Sequence, residues 1–130
     1  MGVRIGSQFT GTPLNVLPAS AVETLIFTTG PLVIVSDEAM VQIVWSLVIT
    51  VGTGTTALQI PLYRGPSLAY PGVPGGDFGV NVTAGTQVVI GGTWIDFPGG
   101  GSIQYSLSVV QTGASGAGVI ADGGLLVLML

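Results

Sequence analysis

The residues of this sequence that could do chemistry are few. Its 130 residues hold six carboxylates, Glu23, Asp37, Glu38, Asp77, Asp96 and Asp122, and two cations, Arg4 and Arg64, with no histidine and no cysteine. Without histidine the commonest general base and the commonest transition-metal ligand are missing. Without cysteine there are no disulfides, thiolate metal sites or thiol nucleophiles. What remains is carboxylate chemistry, chiefly glycoside hydrolysis by an acid–base pair. The spacing gives it little support. Asp37 and Glu38 are sequence neighbours and read as a solvated turn. Asp96 precedes Phe97-Pro98 and reads as a turn cap that accepts backbone N–H groups. Asp77 and Asp122 stand in glycine-rich stretches and could contribute to a Ca²⁺ site, but the alternating acidic spacing of a calcium loop is absent. No catalytic residue, metal or cofactor is expected, and the chain reads as a non-enzyme.

The glycine-rich stretches fail the corresponding tests. Gly52-Thr53-Gly54-Thr55-Thr56 lacks the lysine of a phosphate-binding loop and leads into a strand pattern rather than a helix. Gly113-Ala114-Ser115-Gly116 is no nucleophile elbow, and no histidine is present to activate its serine. Asn81-Val82-Thr83 fits the glycosylation pattern and is read as chance. Aromatic side chains are the other chemistry-bearing set. Trp45 falls on the apolar face of its segment, which assigns it to a core. Trp94, after Gly91-Gly92, is the tryptophan that could stand at a surface or interface. With Tyr63, Tyr70 and the Pro66–Gly76 loop, it forms the candidate set for ligand or partner contact.

The elements that must position these residues are strands. From Met40 to Val51 the odd positions Val41, Ile43, Trp45, Leu47, Ile49 and Val51 are all apolar, while Gln42, Ser46 and Thr50 alternate with them. Thr55 to Arg64 places Leu58, Ile60 and Leu62 on one face, and the Gly52-Thr53-Gly54 link makes the pair a predicted hairpin. Thr86 to Phe97 and Ser102 to Gln111, joined through Pro98-Gly99-Gly100-Gly101, are a second predicted hairpin. In its second strand Ile103, Tyr105, Leu107 and Val109 share a face opposite Gln104, Ser106 and Ser108. Shorter strands are expected at Val3–Phe9, Glu23–Thr28, Leu32–Val35 and Phe78–Val82, punctuated by proline and glycine. No helix longer than one or two turns, at Ala19–Leu25, is expected. The whole is one domain over residues 1–130, an all-β sandwich or barrel, with residues 1–17 a possible extended arm.

The closing run breaks the alternation: Leu125, Leu126, Val127, Leu128, Met129 and Leu130 are apolar on both faces. Such a strand needs a dry cover on each side. The opposite sheet supplies one. The other is either a long apolar loop such as Pro13–Ala21 or a neighbouring copy of the chain, and the neighbouring copy is preferred, because an exposed patch of this kind promotes association. Only 6% of residues are charged, against about 25% in an ordinary soluble domain, which points the same way. The formal net charge of −4 disfavours nucleic acid as a partner, since phosphate binding needs a basic stripe. No apolar run approaches the ~20 residues of a spanning helix, and the start MGVRIGSQFT lacks the basic and apolar regions of an export signal. No membrane partner is expected.

The stretch Val41 to Gly65, a long apolar strand followed by Ala57-Leu58-Gln59-Ile60-Pro61-Leu62-Tyr63-Arg64-Gly65, resembles the central strands of jelly rolls of the tumour-necrosis-factor/C1q type. Val82-Thr83-Ala84-Gly85-Thr86-Gln87-Val88 is similar to a later strand of that family, with Thr86 where an acid often stands. Leu125 to Leu130 is similar to its C-terminal strand, which lies near the trimer axis. Small jelly-roll trimers of this kind also serve as decoration (cement) proteins on tailed-phage capsids. The resemblance implies an antiparallel two-sheet jelly roll of about 8–10 strands. It also implies a homotrimer on the capsid surface of a bacteriophage virion, partnered by the major capsid protein or another virion protein. The alternative is a carbohydrate- or receptor-binding module of a tail fibre or adhesin.

Overall fold

The computed structural model describes residues 4–10, 23–34, 39–50, 56–83, 87–113 and 119–129. Eleven strands run through them, with no helix among the described residues. One sheet holds β1 (Arg4–Thr10), β4 (Val41–Thr50), β8 (Gln87–Asp96) and β11 (Val119–Met129), in the order β1-β11-β4-β8. The second holds β2 (Thr24–Thr28), β5 (Thr56–Gln59), β6 (Leu62–Arg64), β7 (Gly79–Val82) and β10 (Tyr105–Gly113). Its order is β2-β10-β5-β7, with β6 also paired to β10. The short strands β3 (Leu32–Ile34) and β9 (Gly101–Ile103) pair with each other, and every pairing is antiparallel.

β5 and β6 are one strand interrupted at Ile60-Pro61. Proline has no N–H to give to a ladder, yet Pro61 still accepts a hydrogen bond from Ser108 N at 3.0 Å, so β10 runs on past the break. With β3 and β9 set aside, eight strands remain. Along the chain they alternate between the sheets, except where β5–β6 leads to β7 within the second sheet. This wrapped order, with the first strand β1 beside the last, β11, is a jelly roll.

The core lies between the sheets. β4 delivers Val41, Ile43, Trp45, Leu47 and Ile49 to it, each at most 2% exposed, and β11 adds Leu125 and Val127. Facing them are Phe27, Leu58, Ile60, Leu62, Tyr105, Leu107 and Val109. The period-two assignment of apolar faces thus holds for β4, for Leu58-Ile60-Leu62 and for Tyr105, Leu107 and Val109 of β10. At about 25 cal/mol per Å² of apolar surface removed from water, this two-sided burial is the main force holding the sandwich together.

Two expectations about connection are overturned. β4 does not pair with β5, and β8 does not pair with β10. β4 lies between β11 and β8, while β10 lies between β2 and β5. Both links cross from one sheet to the other. The apolar faces of two strands point at a shared core whether the strands lie side by side or across the sandwich, so alternation cannot choose between the two. The closing strand also starts earlier than its apolar run, at Val119, and takes in Asp122-Gly123-Gly124, where a glycine-rich loop was expected. Residues 4–10 of the N-terminal segment form β1, in register with β11.

Candidate functional site

Among the described residues, polar side chains gather in two clusters and around a cavity. The first cluster ties the sheets together. Asp96, at the end of β8, is 3% exposed and accepts two hydrogen bonds from Arg64 of β6, one from Nε at 2.8 Å and one from a terminal nitrogen. Tyr105 of β10 donates its hydroxyl to Asp96 Oδ2 at 2.8 Å. Burial alone would push the Asp96 carboxyl up. The hydrogen bonds from Arg64 and Tyr105, the Arg64 charge and the Phe97 N–H outweigh burial and leave it below its ordinary value. The same bonds raise the Arg64 guanidinium, and burial followed by the Asp96 bond pushes Tyr105 far up. The Phe97 N–H bond is the predicted turn cap. The larger role of Asp96, invisible locally, is to hold Arg64 and Tyr105 of the other sheet.

The second cluster covers the outer side of β10. Glu23 Oε2 accepts from Tyr63 Oη at 2.5 Å and from Ser108 Oγ at 2.6 Å. Ser106 Oγ donates to Gly65 O at 2.5 Å and lies 3.2 Å from Thr28 Oγ1. The serines expected on a polar surface are consequently fully buried, at the modest cost allowed to satisfied polar groups. Burial first, then the bond to Glu23 and its charge, push Tyr63 up to about 12. The neutral phenol is the form the fold favours, so this contribution to stability is full below the unfolded value near 10 and is lost as pH rises through about 12. Tyrosinate absorbance is therefore expected to show Tyr63 and Tyr105 un-ionised at about pH 11 in the folded protein, and ionised there once it is unfolded. Ionisation of every tyrosine near pH 10 in folded protein would contradict the Tyr63–Glu23 bond.

The cavity, about 400 Å³, opens between the turn after β6 and strand β9, and is lined by Arg64, Gly65, Tyr70, Ser102, Gln104 and neighbouring prolines. No carboxylate lines it, so it presents no acid–base pair. Among the described residues no three His, Cys, Asp or Glu side chains cluster as a metal site, and no helix is long and apolar enough to cross a membrane.

The expected site residues separate. Trp94 is half-buried on the core side of β8, its ring stacked on Trp45 with centroids 5.2 Å apart and 24° between planes. Tyr63 is committed to Glu23. Tyr70, 48% exposed, lines the cavity. Arg64, Ser102 and Gln104 join it there, a grouping that sequence spacing could not signal because β6 and β9 lie far apart along the chain. Of the closing strand, Leu125 and Val127 face the core, Leu126 and Leu128 are half-buried on the outer face, and Met129 stands in register with Arg4 and Val41. Asp37, Glu38, the Gly52–Gly54 turn, the Pro13–Ala21 loop and Leu130 lie outside the described residues.

No protein-family model matches the sequence, and no curated protein matches it. Solved structures do. The chain superposes over 100% of its length on a chain in the structure of infectious bursal disease virus, Gx strain, with a TM-score of 0.67 at 13% identity. It matches a chain of the T13 particle of that virus over 99% (TM-score 0.57, 13% identity) and the VP2 subviral particle over 99% (0.59, 15%). It spans 33%, 31% and 32% of those chains, about a third of their length. At such identities what is shared is the fold, a two-sheet jelly roll also found in the chains of virus particles.

Proposed function

We propose that the protein is a structural subunit of a virion, a jelly roll that associates with copies of itself and sits on the capsid surface as a decoration or cement protein. The proposed association state is a homotrimer, with the major capsid protein or another virion protein beneath it. A bacteriophage is the proposed source, by the phage-decoration resemblance. One observation carries the self-association. The outer face of β11, β4 and β8 is uncharged and carries a run of apolar side chains, with Val44, Val48, Leu126 and Leu128 half-buried and Val89 and Ile95 exposed to 74% and 43%, interspersed with Gln42, Ser46, Thr50, Gln87 and Thr93. No charged residue occurs within 41–50, 87–95 or 123–128. A patch of this kind promotes association unless it is covered, and the recurrence of the fold in virus particles supports a virion as the setting. The proposed interface is the outward part of Leu125–Leu130, with Leu126 and Leu128 at its centre, while Leu125 and Val127 serve the core beneath.

Leu128→Asp is the test. A carboxylate in a dry interface is strongly disfavoured, whereas on a free sheet face it is tolerated. Sedimentation velocity should show wild type as an oligomer and Leu128→Asp as a folded monomer. A wild type that sediments as a monomer, or a folded variant with unchanged mass, would sink the self-association. Cosedimentation with source particles, retained by wild type and weakened in the variant, tests the virion role; its absence for wild-type oligomer would remove that role.

A further inference from the structure

The cavity beside Arg64 has the construction of a binding site, and this inference stands apart from the virion reading. At about 400 Å³ it lies at the small end of the range for small-molecule sites, about 300–1,000 Å³. Its charged member is held from behind. Arg64 spends Nε and one terminal N–H on buried Asp96, which Tyr105 holds in turn. A guanidinium carries five donors in a fixed fork, so others remain, and the side chain is 30% exposed. The aromatic member is also fixed. Gly65 has φ +149°, and a Cβ there would lie 2.2 Å from Tyr70 Cγ, so the ring rests on bare backbone. Gln104 donates its Nε2 to Thr29 O at 2.9 Å, which orients its amide and leaves the oxygen as an acceptor. Ser102 contributes an exposed hydroxyl from β9.

Because Asp96 balances Arg64 and no other charged residue lines the cavity, the site is close to neutral and gives little attraction to phosphate or sulfate. It sets a half-exposed aromatic ring beside donors and acceptors that the fold holds in place. A pyranose is built the same way, with an apolar C–H face and a rim of hydroxyls that both donate and accept. We propose that this cavity binds one neutral pyranose unit of a glycan, its C–H face on Tyr70 and its hydroxyls on Arg64, Ser102 and the Gln104 amide oxygen.

Saturation-transfer NMR on the purified protein, with methyl glycosides of glucose, galactose, mannose and N-acetylglucosamine at about 10 mM each, tests the site in the weak-affinity range. Transfer to at least one glycoside is expected, with binding weakened at least about tenfold by Tyr70→Ala. Ser102→Trp, which fills the cavity from an exposed strand position, should weaken it equally. Circular dichroism should match wild type for both variants. Transfer to none of the four, transfer that survives both substitutions, or displacement of the sugar by inorganic phosphate would overturn the proposal.

Discussion

Asp96→Ala is expected to destabilise the protein by about 3 kcal/mol, the lower end of the range for breaking a buried ion pair by removing one partner. The substitution leaves the Tyr105 hydroxyl, on a residue with no exposed surface, without its acceptor, and Arg64 without its counter-charge. Arg64 is 30% exposed and can turn toward water, which is why the lower end applies. Asp96→Asn should cost less, because an amide oxygen set in the place of Oδ2 still accepts from Arg64 Nε and from Tyr105 Oη, and only the bond to the Arg64 terminal nitrogen is lost. The two variants also separate by pH. The carboxyl is held below its ordinary value in the folded state, so its contribution is present above the unfolded value near 3.9. It is lost as pH falls through the folded value. Urea unfolding at about pH 7 and about pH 3 should therefore show wild type losing more stability on acidification than Asp96→Asn. Equal acid sensitivity in the two would show that the Arg64–Asp96–Tyr105 cluster does not join the sheets energetically.

That cluster marks the boundary of what the sequence could reveal. Period-two faces are a one-dimensional property, and they assigned Ile43, Trp45, Leu47, Leu58 and Leu107 to the core correctly. Pairing partners are a property of the whole topology. Asp96, Arg64 and Tyr105 come from strands of two sheets, and nothing within a few residues of Asp96 distinguishes this buried bridge from a local turn cap. The cavity was half legible for the same reason. Tyr70 could be picked out as an aromatic in a Pro-Gly loop, but Ser102 and Gln104 enter only when β9 and the start of β10 lie beside the turn after β6. Trp94, read from the sequence as able to stand at a surface or interface, is half-buried. Gly92 leaves room for the Trp45 indole, whose Nε1 would lie 3.2 Å from a Cβ at that position, and Trp94 stacks on the same indole.

Gly123 shows the same principle in a form that can be measured. A glycine inside a strand signals a turn by composition, yet here it lies in β11 opposite Leu47. A Cβ on it would fall 2.8 Å from Leu47 Cδ2, 3.0 Å from Phe27 Cζ and 3.0 Å from Ser46 O. Leu47 and Phe27 thus close the core against bare backbone. Leu47→Ala, at a site with no exposed surface, is expected to cost about 2–5 kcal/mol through lost transfer energy and the cavity it leaves. Gly123→Ala is expected to cost about 1–3 kcal/mol by overpacking. The two effects share the same space, so they should not add. In the Leu47→Ala background the new methyl meets the vacated volume instead of Cδ2, and only the Phe27 and Ser46 contacts still resist it. A double-mutant cycle by urea unfolding should give a coupling of about 0.5–3 kcal/mol in the stabilising direction. Additive costs would mean that Leu47 does not pack on Gly123, and the register of β11 on β4 would have to be redrawn.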